Sequence, residues 1–278
     1  MKSLMSLAAL SRTLWRRTAE AVMMLCLLLI VGCGGGGSGD LGGGLNESTA
    51  TYLIYDLASG TRTTAMSVPD LVTNPLYRST SMVFRRVTGL GDSYFLAVFE
   101  VTQDQWSIIA PATTAAWTKV PEAVVGNDAI GGNRPAFNIS NDDIVAELTD
   151  FNVGRNVQLA LPSDAQWDFA CAAGTTTRWS WGDASERSTI LQHAVVAETR
   201  LARGPVAVGS FAANPWGFYD FHGNVWEWTG SGSGAHIRGG SWHDSVTLAR
   251  RENILAGREG IDRSTAHAVI GARLLLRQ

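Results

Sequence analysis

Cysteine is scarce in these 278 residues, occurring only as Cys26, Cys33 and Cys171. Three cysteines cannot supply the dense disulfide framework that holds small secreted scaffolds together. The chain has no CxxC, HxxxH or HExxH spacing, and its five histidines (His193, His222, His236, His243, His267) are scattered. A zinc or non-haem iron centre therefore lacks the ligand spacing it uses. No period of 20–50 residues repeats, which excludes propellers and solenoids. Charged residues are also sparse at 17%, with a formal net charge of −3, so the chain is a poor nucleic-acid binder.

The first segment reads as targeting sequence. Lys2, Arg12, Arg16 and Arg17 precede an uncharged apolar run of 11 residues, Ala21–Val31. A membrane-spanning helix needs about 20 such residues, so the run suits the core of a signal peptide. It ends in Ile30-Val31-Gly32-Cys33, which resembles the lipobox of bacterial lipoproteins. The expectation is a signal peptide over 1–32, cleavage before Cys33, and lipidation of its thiol. The alternatives are an ordinary signal peptide or a short signal anchor. Cleavage would remove four basic groups and Glu20, taking the formal charge from −3 to −6. Residues 34–44 are dominated by glycine and suit a flexible tether, so 33–50 form a linker to the body. The expected location is the bacterial cell envelope, lipid-anchored and extracytoplasmic, at the outer membrane or cell surface.

What is abundant is tryptophan, and nine of the ten lie after residue 100, which places a large core in the C-terminal two-thirds. Thr51–Leu57, Met82–Val87 and Tyr94–Val101 carry strand formers, with loops expected over 40–51 and 67–81. The clearest helix starts at Ser163, with Gln166 completing a capping box and Asp164 in the first turn, and stops at Gly174. Trp167 and Cys171 share a face of it, which makes Cys171 a core residue. Beyond Arg178 the chain reads as mostly irregular.

Seven motifs then occur in order. Phe99-Glu100-Val101-Thr102 with Trp106 is followed by Pro135–Ser140 with Asp142-Asp143. Leu161-Pro162-Ser163-Asp164-Ala165-Gln166-Trp167-Asp168-Phe169-Ala170 comes next, then Trp179-Ser180-Trp181-Gly182. Asn214-Pro215-Trp216-Gly217-Phe218-Tyr219-Asp220-Phe221-His222-Gly223-Asn224-Val225-Trp226-Glu227-Trp228, Arg238-Gly239-Gly240-Ser241-Trp242 and Ile270-Gly271-Ala272-Arg273-Leu274 complete the series. Together they resemble the formylglycine-generating, or sulfatase-modifying factor, family. The resemblance implies an α+β, C-type-lectin-like fold with much irregular structure over 81–278, preceded by a strand-and-loop extension at 51–80. Family members bind calcium near the asparagine and glutamate of the fifth motif. Carried over, this makes Asn224 and Glu227 oxygen ligands of a structural Ca²⁺; the alternative is that they cap backbone groups.

The resemblance also implies what is missing. Formylglycine-generating enzymes use two cysteines after the GGSW step to bind copper and oxidise a substrate cysteine, chemistry that needs soft thiolates. Here Asp244 and Ala249 stand at those spacings, so copper is not expected and the first expectation is a non-catalytic binding protein. The alternative is an enzyme of the same family, with formylglycine generation or a related activity achieved without the usual cysteine pair.

Residues 243–269 contain no Phe, Tyr, Trp, Cys or Pro. Some proteins of this fold are diversified by retroelements at adenines of asparagine codons in this interval. His243–Leu248 and Ser264–Val269 are reachable from such codons, whereas Glu252 and Glu259 are not; ordinary sequence is the alternative. The expected ligand-binding residues are His243, Asp244, Ser245, Thr247, Leu248, Ser264, Thr265 and His267, facing an unknown protein or cell-surface ligand.

Overall fold

The computed structural model describes residues 46–111, 116–199, 203–250, 254–255 and 261–277. The signal peptide over 1–32, Cys33, the glycine tether at 34–44, and Glu252 and Glu259 lie outside the described residues. Among those described, no helix is long and apolar enough to cross a membrane.

The described residues form two open sheets. The larger has six antiparallel strands in the order β2-β1-β3-β4-β10-β5, comprising β1 (Tyr52–Asp56), β2 (Arg62–Ala65), β3 (Ser81–Val87), β4 (Tyr94–Ala97), β5 (Gln158–Ala160) and β10 (Leu275–Arg277). The smaller runs β8-β7-β6-β9, with β6 (Trp226–Thr229), β7 (His236–Arg238), β8 (Ile254–Leu255) and β9 (Ile270–Ala272); β6 and β9 pair in parallel. The three strands read from sequence are β1, β3 and β4, although the third ends at Ala97 rather than Val101. Residues 51–80 hold the strands β1 and β2, and β1 pairs with both β2 and β3, which joins this stretch to the main sheet. The β2 strand escaped the sequence reading because Arg62-Thr63-Thr64-Ala65 has no apolar alternation to mark it.

Among the described residues, three of the four α-helices start with a reciprocal capping box: α1 (Gln103–Ile109) at Thr102/Gln105, α2 (Asn141–Asn152) at Ser140/Asp143 and α3 (Asp164–Ala172) at Ser163/Gln166. In α3 the Ser163 hydroxyl accepts from the Gln166 N–H at 3.2 Å while Gln166 accepts from the Ser163 N–H at 2.9 Å. Two otherwise unpaired donors are thereby satisfied. The helix ends on Ala173, whose φ of 48° is left-handed, just before Gly174. Trp167 and Cys171 are both fully buried on its inner face. Helix α4 (Arg187–His193) interrupts a segment that sequence patterning reads as irregular.

The main core runs between the sheets and collects Trp106, Trp117, Trp226, Trp228 and Trp242. Every residue of β6 is buried, so both faces of this strand meet protein. Its central residue, Glu227, is therefore an interior charge rather than an outward-facing ligand, and its environment has to be explained.

Candidate functional site

The segment after β7 begins with Gly239 and Gly240, both at left-handed φ. A Cβ on Gly240 would stand 2.8 Å from the Ala249 Cα, so only glycine admits this close return. The turn that follows is held from beneath. The Asp244 carboxylate accepts from the Ser241 hydroxyl and, at 2.8 Å, from the Trp226 indole N–H. Its carbonyl accepts from the Ala197 N–H at 2.8 Å. Glu198 takes the Ser245 hydroxyl at 2.7 Å and the Val246 N–H at 3.0 Å. Val246 and Ala249 point into a small core with Trp179, whereas His243, Thr247 and Leu248 are exposed and Asp244 and Ser245 half-buried.

The second segment is fixed by its own turn. Asp262 accepts from the Ser264 N–H at 2.8 Å and from its hydroxyl at 2.7 Å, which hold the carboxyl below the usual carboxylate range, the backbone bond contributing most. The Asn138 N–H donates to the His267 carbonyl at 3.1 Å, and the Asp142 N–H to the Arg263 carbonyl at 3.2 Å. Ser264 and His267 are exposed and Thr265 is half-buried. Trp226 touches both segments, through its indole N–H to Asp244 and its backbone N–H to the Val269 carbonyl at 2.8 Å.

The two positions that would carry the oxidising thiols have other tasks. Asp244 ties the turn to the sheet, and Ala249 is fully buried with its carbonyl 2.7 Å from the His222 Nδ1. Cys171 lies 3.6 Å from the His222 Nε2, buried as the sequence implied.

Asn224 and Glu227 do not fit the calcium shell carried over to them. Arg273 reaches Glu227 with Nε at 3.0 and 3.2 Å and with Nη2 at 2.7 Å, and the Trp167 indole N–H donates at 2.6 Å. Three N–H donors surround the carboxylate, the Nε–H shared between both oxygens, and Arg273 already supplies the positive charge that a cation would bring. Asn224 accepts from the Val206 N–H at 2.9 Å and donates to Glu100 at 2.6 Å. The reading in which these side chains satisfy interior polar groups is the one the geometry supports. Among the described residues, no group of three or more His, Cys, Asp or Glu is placed to hold a metal ion.

Sequence reasoning missed the rest of this cluster. Glu100 and Asp220 are buried beside the Glu227–Arg273 pair, so three carboxyls face one guanidinium. Burial, with Asp220 and Glu227 adding repulsion, pushes the Glu100 carboxyl well up; burial pushes Asp220 up to about 6. Arg273 also donates to the carbonyls of Ala97, Val98 and Tyr219, which stitches β4 to the fifth motif. The available signal was a charged residue inside each of two apolar motifs, Phe99-Glu100-Val101 and Ala272-Arg273-Leu274.

Residues 79–278 match the family described as sulfatase-modifying factor enzyme 1-like domain. A formylglycine-generating enzyme of Mycobacterium tuberculosis is 36% identical over 132 residues, 41% of this chain and 41% of that protein. The chain thus spans about two-fifths of the length of that relative. Among solved structures, Treponema denticola variable protein 1 superposes with a TM-score of 0.59 at 19% identity, over 72% of this chain and 96% of that one. PvdO from Pseudomonas aeruginosa gives 0.55 at 19% identity, over 82% and 92%. Both likenesses concern the fold.

Proposed function

The chain belongs to the sulfatase-modifying factor enzyme 1-like family, and from that premise we propose that it is a ligand-binding member of it, lipid-anchored at Cys33 in the bacterial cell envelope. The observation that carries this reading is the contrast within residues 241–249. Ser241, Val246 and Ala249 are buried and Asp244 is tied down, while His243, Thr247 and Leu248 emerge from the same turn into solvent. Exposed side chains on a rigidly held turn are the usual basis of recognition, because the scaffold bears the ordering cost before the ligand arrives. Ser264, Thr265 and His267 belong to the same reading, being held by a second capped turn. A partner protein or cell-surface ligand is the proposed occupant.

The name of the Treponema variable protein accords with diversification of the 243–269 interval in this chain. Gene context tests that refinement: a reverse-transcriptase gene beside a near-copy of this coding segment, differing mainly at adenines, would establish it. Its absence would leave a fixed binder. Anchoring is tested by Cys33→Ser, which should release the protein from the membrane fraction or block its maturation. Unchanged partitioning would remove the anchor from the proposal.

A second reading, catalysis, is favoured by the identity to a formylglycine-generating enzyme. It would need chemistry other than a thiolate pair, since Asp244 and Ala249 occupy those positions.

A further inference from the structure

Strand β5 ends the larger sheet, so among the described residues one of its edges has no neighbouring strand. Its pairing with β10 sets Leu276 opposite Leu159, with Leu275 and Arg277 opposite Ala160 and Gln158. What meets the outer edge is a single side chain. The Asn152 amide, at the end of α2, donates to the Leu159 carbonyl at 2.9 Å, and its oxygen accepts from the Leu159 N–H at 2.9 Å. A residue on an added antiparallel strand would exchange that same pair of hydrogen bonds with Leu159. Asn152 therefore stands where a bound peptide group would stand, and its half-buried side chain has solvent to rotate into. Strand alternation turns the Leu161 N–H and carbonyl to the same edge, and no described residue bonds either one.

A groove of about 380 Å³ runs along this edge, between β5 and α2. That volume is within the roughly 300–1,000 Å³ of ordinary ligand sites. Val145, Leu148 and Leu161 give the groove its apolar surface. Among the described residues that line it, Arg277 is the only charged side chain. Arg238, Arg263 and Arg273 each face a carboxylate, whereas Arg277 has no ion-pair partner among the described residues. In the register it stands opposite Gln158, one residue from Leu159. A negative charge at that end of the groove would meet a guanidinium and no opposing carboxylate.

We propose that this groove takes the C-terminal end of an extended peptide, added antiparallel to β5. The last residue of the peptide displaces the Asn152 amide: its N–H donates to the Leu159 carbonyl and its carboxylate accepts from the Leu159 N–H. The second carboxylate oxygen is then available to Arg277, and the residue two places earlier pairs with Leu161. In strand addition the main-chain bonds supply affinity, and the side chains that meet the host surface supply specificity. Here that surface is aliphatic, so the peptide is expected to be aliphatic at its end. A peptide running the other way would bring its ammonium to Arg277, which like-charge repulsion opposes. No residue of the turns at His243 and Ser264 lines the groove, so this site and the proposed binding face can fail independently.

Fluorescence anisotropy of the full chain with the peptide Val-Thr-Val-Leu, dye-labelled at its amino end, tests the proposal. Binding should saturate with the free carboxylate and weaken about fivefold when that end is amidated, because bonds to a charged group are the stronger ones. Arg277 is exposed, so Arg277→Gln leaves the fold intact and should erase the preference for the carboxylate. Asn152→Ala should tighten binding about twofold to tenfold, because the peptide no longer displaces a hydrogen-bonded amide. An Asn152 that only closes the sheet edge would leave the affinity unchanged. Amide hydrogen exchange at Leu159 and Leu161 should slow when the peptide is bound. No saturable binding, equal binding of the amidated peptide, or binding by folded Asn152→Ala that is no tighter than the parent's would each overturn the proposal.

Discussion

Arg273 and Glu227 form a fully buried ion pair, with the guanidinium Nη2 2.7 Å from the carboxylate Oε1. Breaking such a pair from one side leaves an uncompensated interior charge, at about 3–5 kcal/mol. Arg273→Met should therefore destabilise the domain by about that amount in chemical denaturation, because the buried Glu227 carboxylate is left without its cation. Glu227→Gln should be comparably damaging. The parent protein's melting temperature should be the same with excess calcium as with chelator, since the Glu227 carboxylate serves Arg273 and Trp167. A calcium-dependent rise in the parent's melting temperature would restore the cation site to Glu227.

Stability should depend on pH through Asp220. Burial raises its folded pKa to about 6, above that of the unfolded chain, so the folded state holds more protons between roughly pH 4 and 6. The stabilising contribution is then fullest at low pH and is lost as pH rises through about 6, with a slope of up to about 1.4 kcal/mol per unit. Asp220→Asn keeps an acceptor for the Gly209 N–H and should flatten that part of the profile. Denaturant melts at pH 4.5, 6 and 7.5 measure the slope; equal slopes in the two proteins would contradict the assignment.

The exposed and anchored residues of the 241–249 turn should separate under mutation. Thr247→Ala and His243→Ala should change stability by less than about 0.5 kcal/mol, as surface changes do. Asp244→Ala strands the indole N–H of the buried Trp226 and should cost about 1–3 kcal/mol. Thermal melts of the three variants decide whether Asp244 is an anchor or part of the free face.

Gly223 should resist substitution by any side chain. Its φ is +92°, and an added Cβ would lie 2.1 Å from the Val195 carbonyl oxygen, at the bridge between Val195 and Gly223. Gly223→Ala should lower stability by at least about 1–3 kcal/mol, or prevent folding. A melting temperature within a degree of the parent would refute this.

A peptide carrying the sulfatase Cys-x-Pro-x-Arg motif should emerge unchanged from incubation with the protein and copper. Asp244 and Ala249 supply no thiolate. Mass spectrometry showing an aldehyde at the peptide cysteine would favour the catalytic reading instead.

Local features were legible in the sequence where one residue's chemistry acts on its neighbours. The capping box at Ser163 and Gln166, the helix stop before Gly174 and the strands β1 and β3 depend on hydrogen bonds or side-chain alternation within a few residues, and each stands where the pattern put it. The ordered motifs extended that reach to the fold itself, because the glycines and tryptophans they contain are steric requirements of one backbone path. Tertiary structure decided what no local pattern encodes. Glu100, Asp220, Glu227 and Arg273 are spread over 174 residues, and only the pairing of β6 with β9 and of β4 with β10 brings them together. The same pairing turned Glu227 from a candidate cation ligand into half of an ion pair, since a carboxylate in a strand buried on both faces takes whichever cation the fold brings to it. The exposure of Thr247 beside the burial of Val246 was likewise settled by long-range contacts, through Glu198 and Trp226, and not by composition.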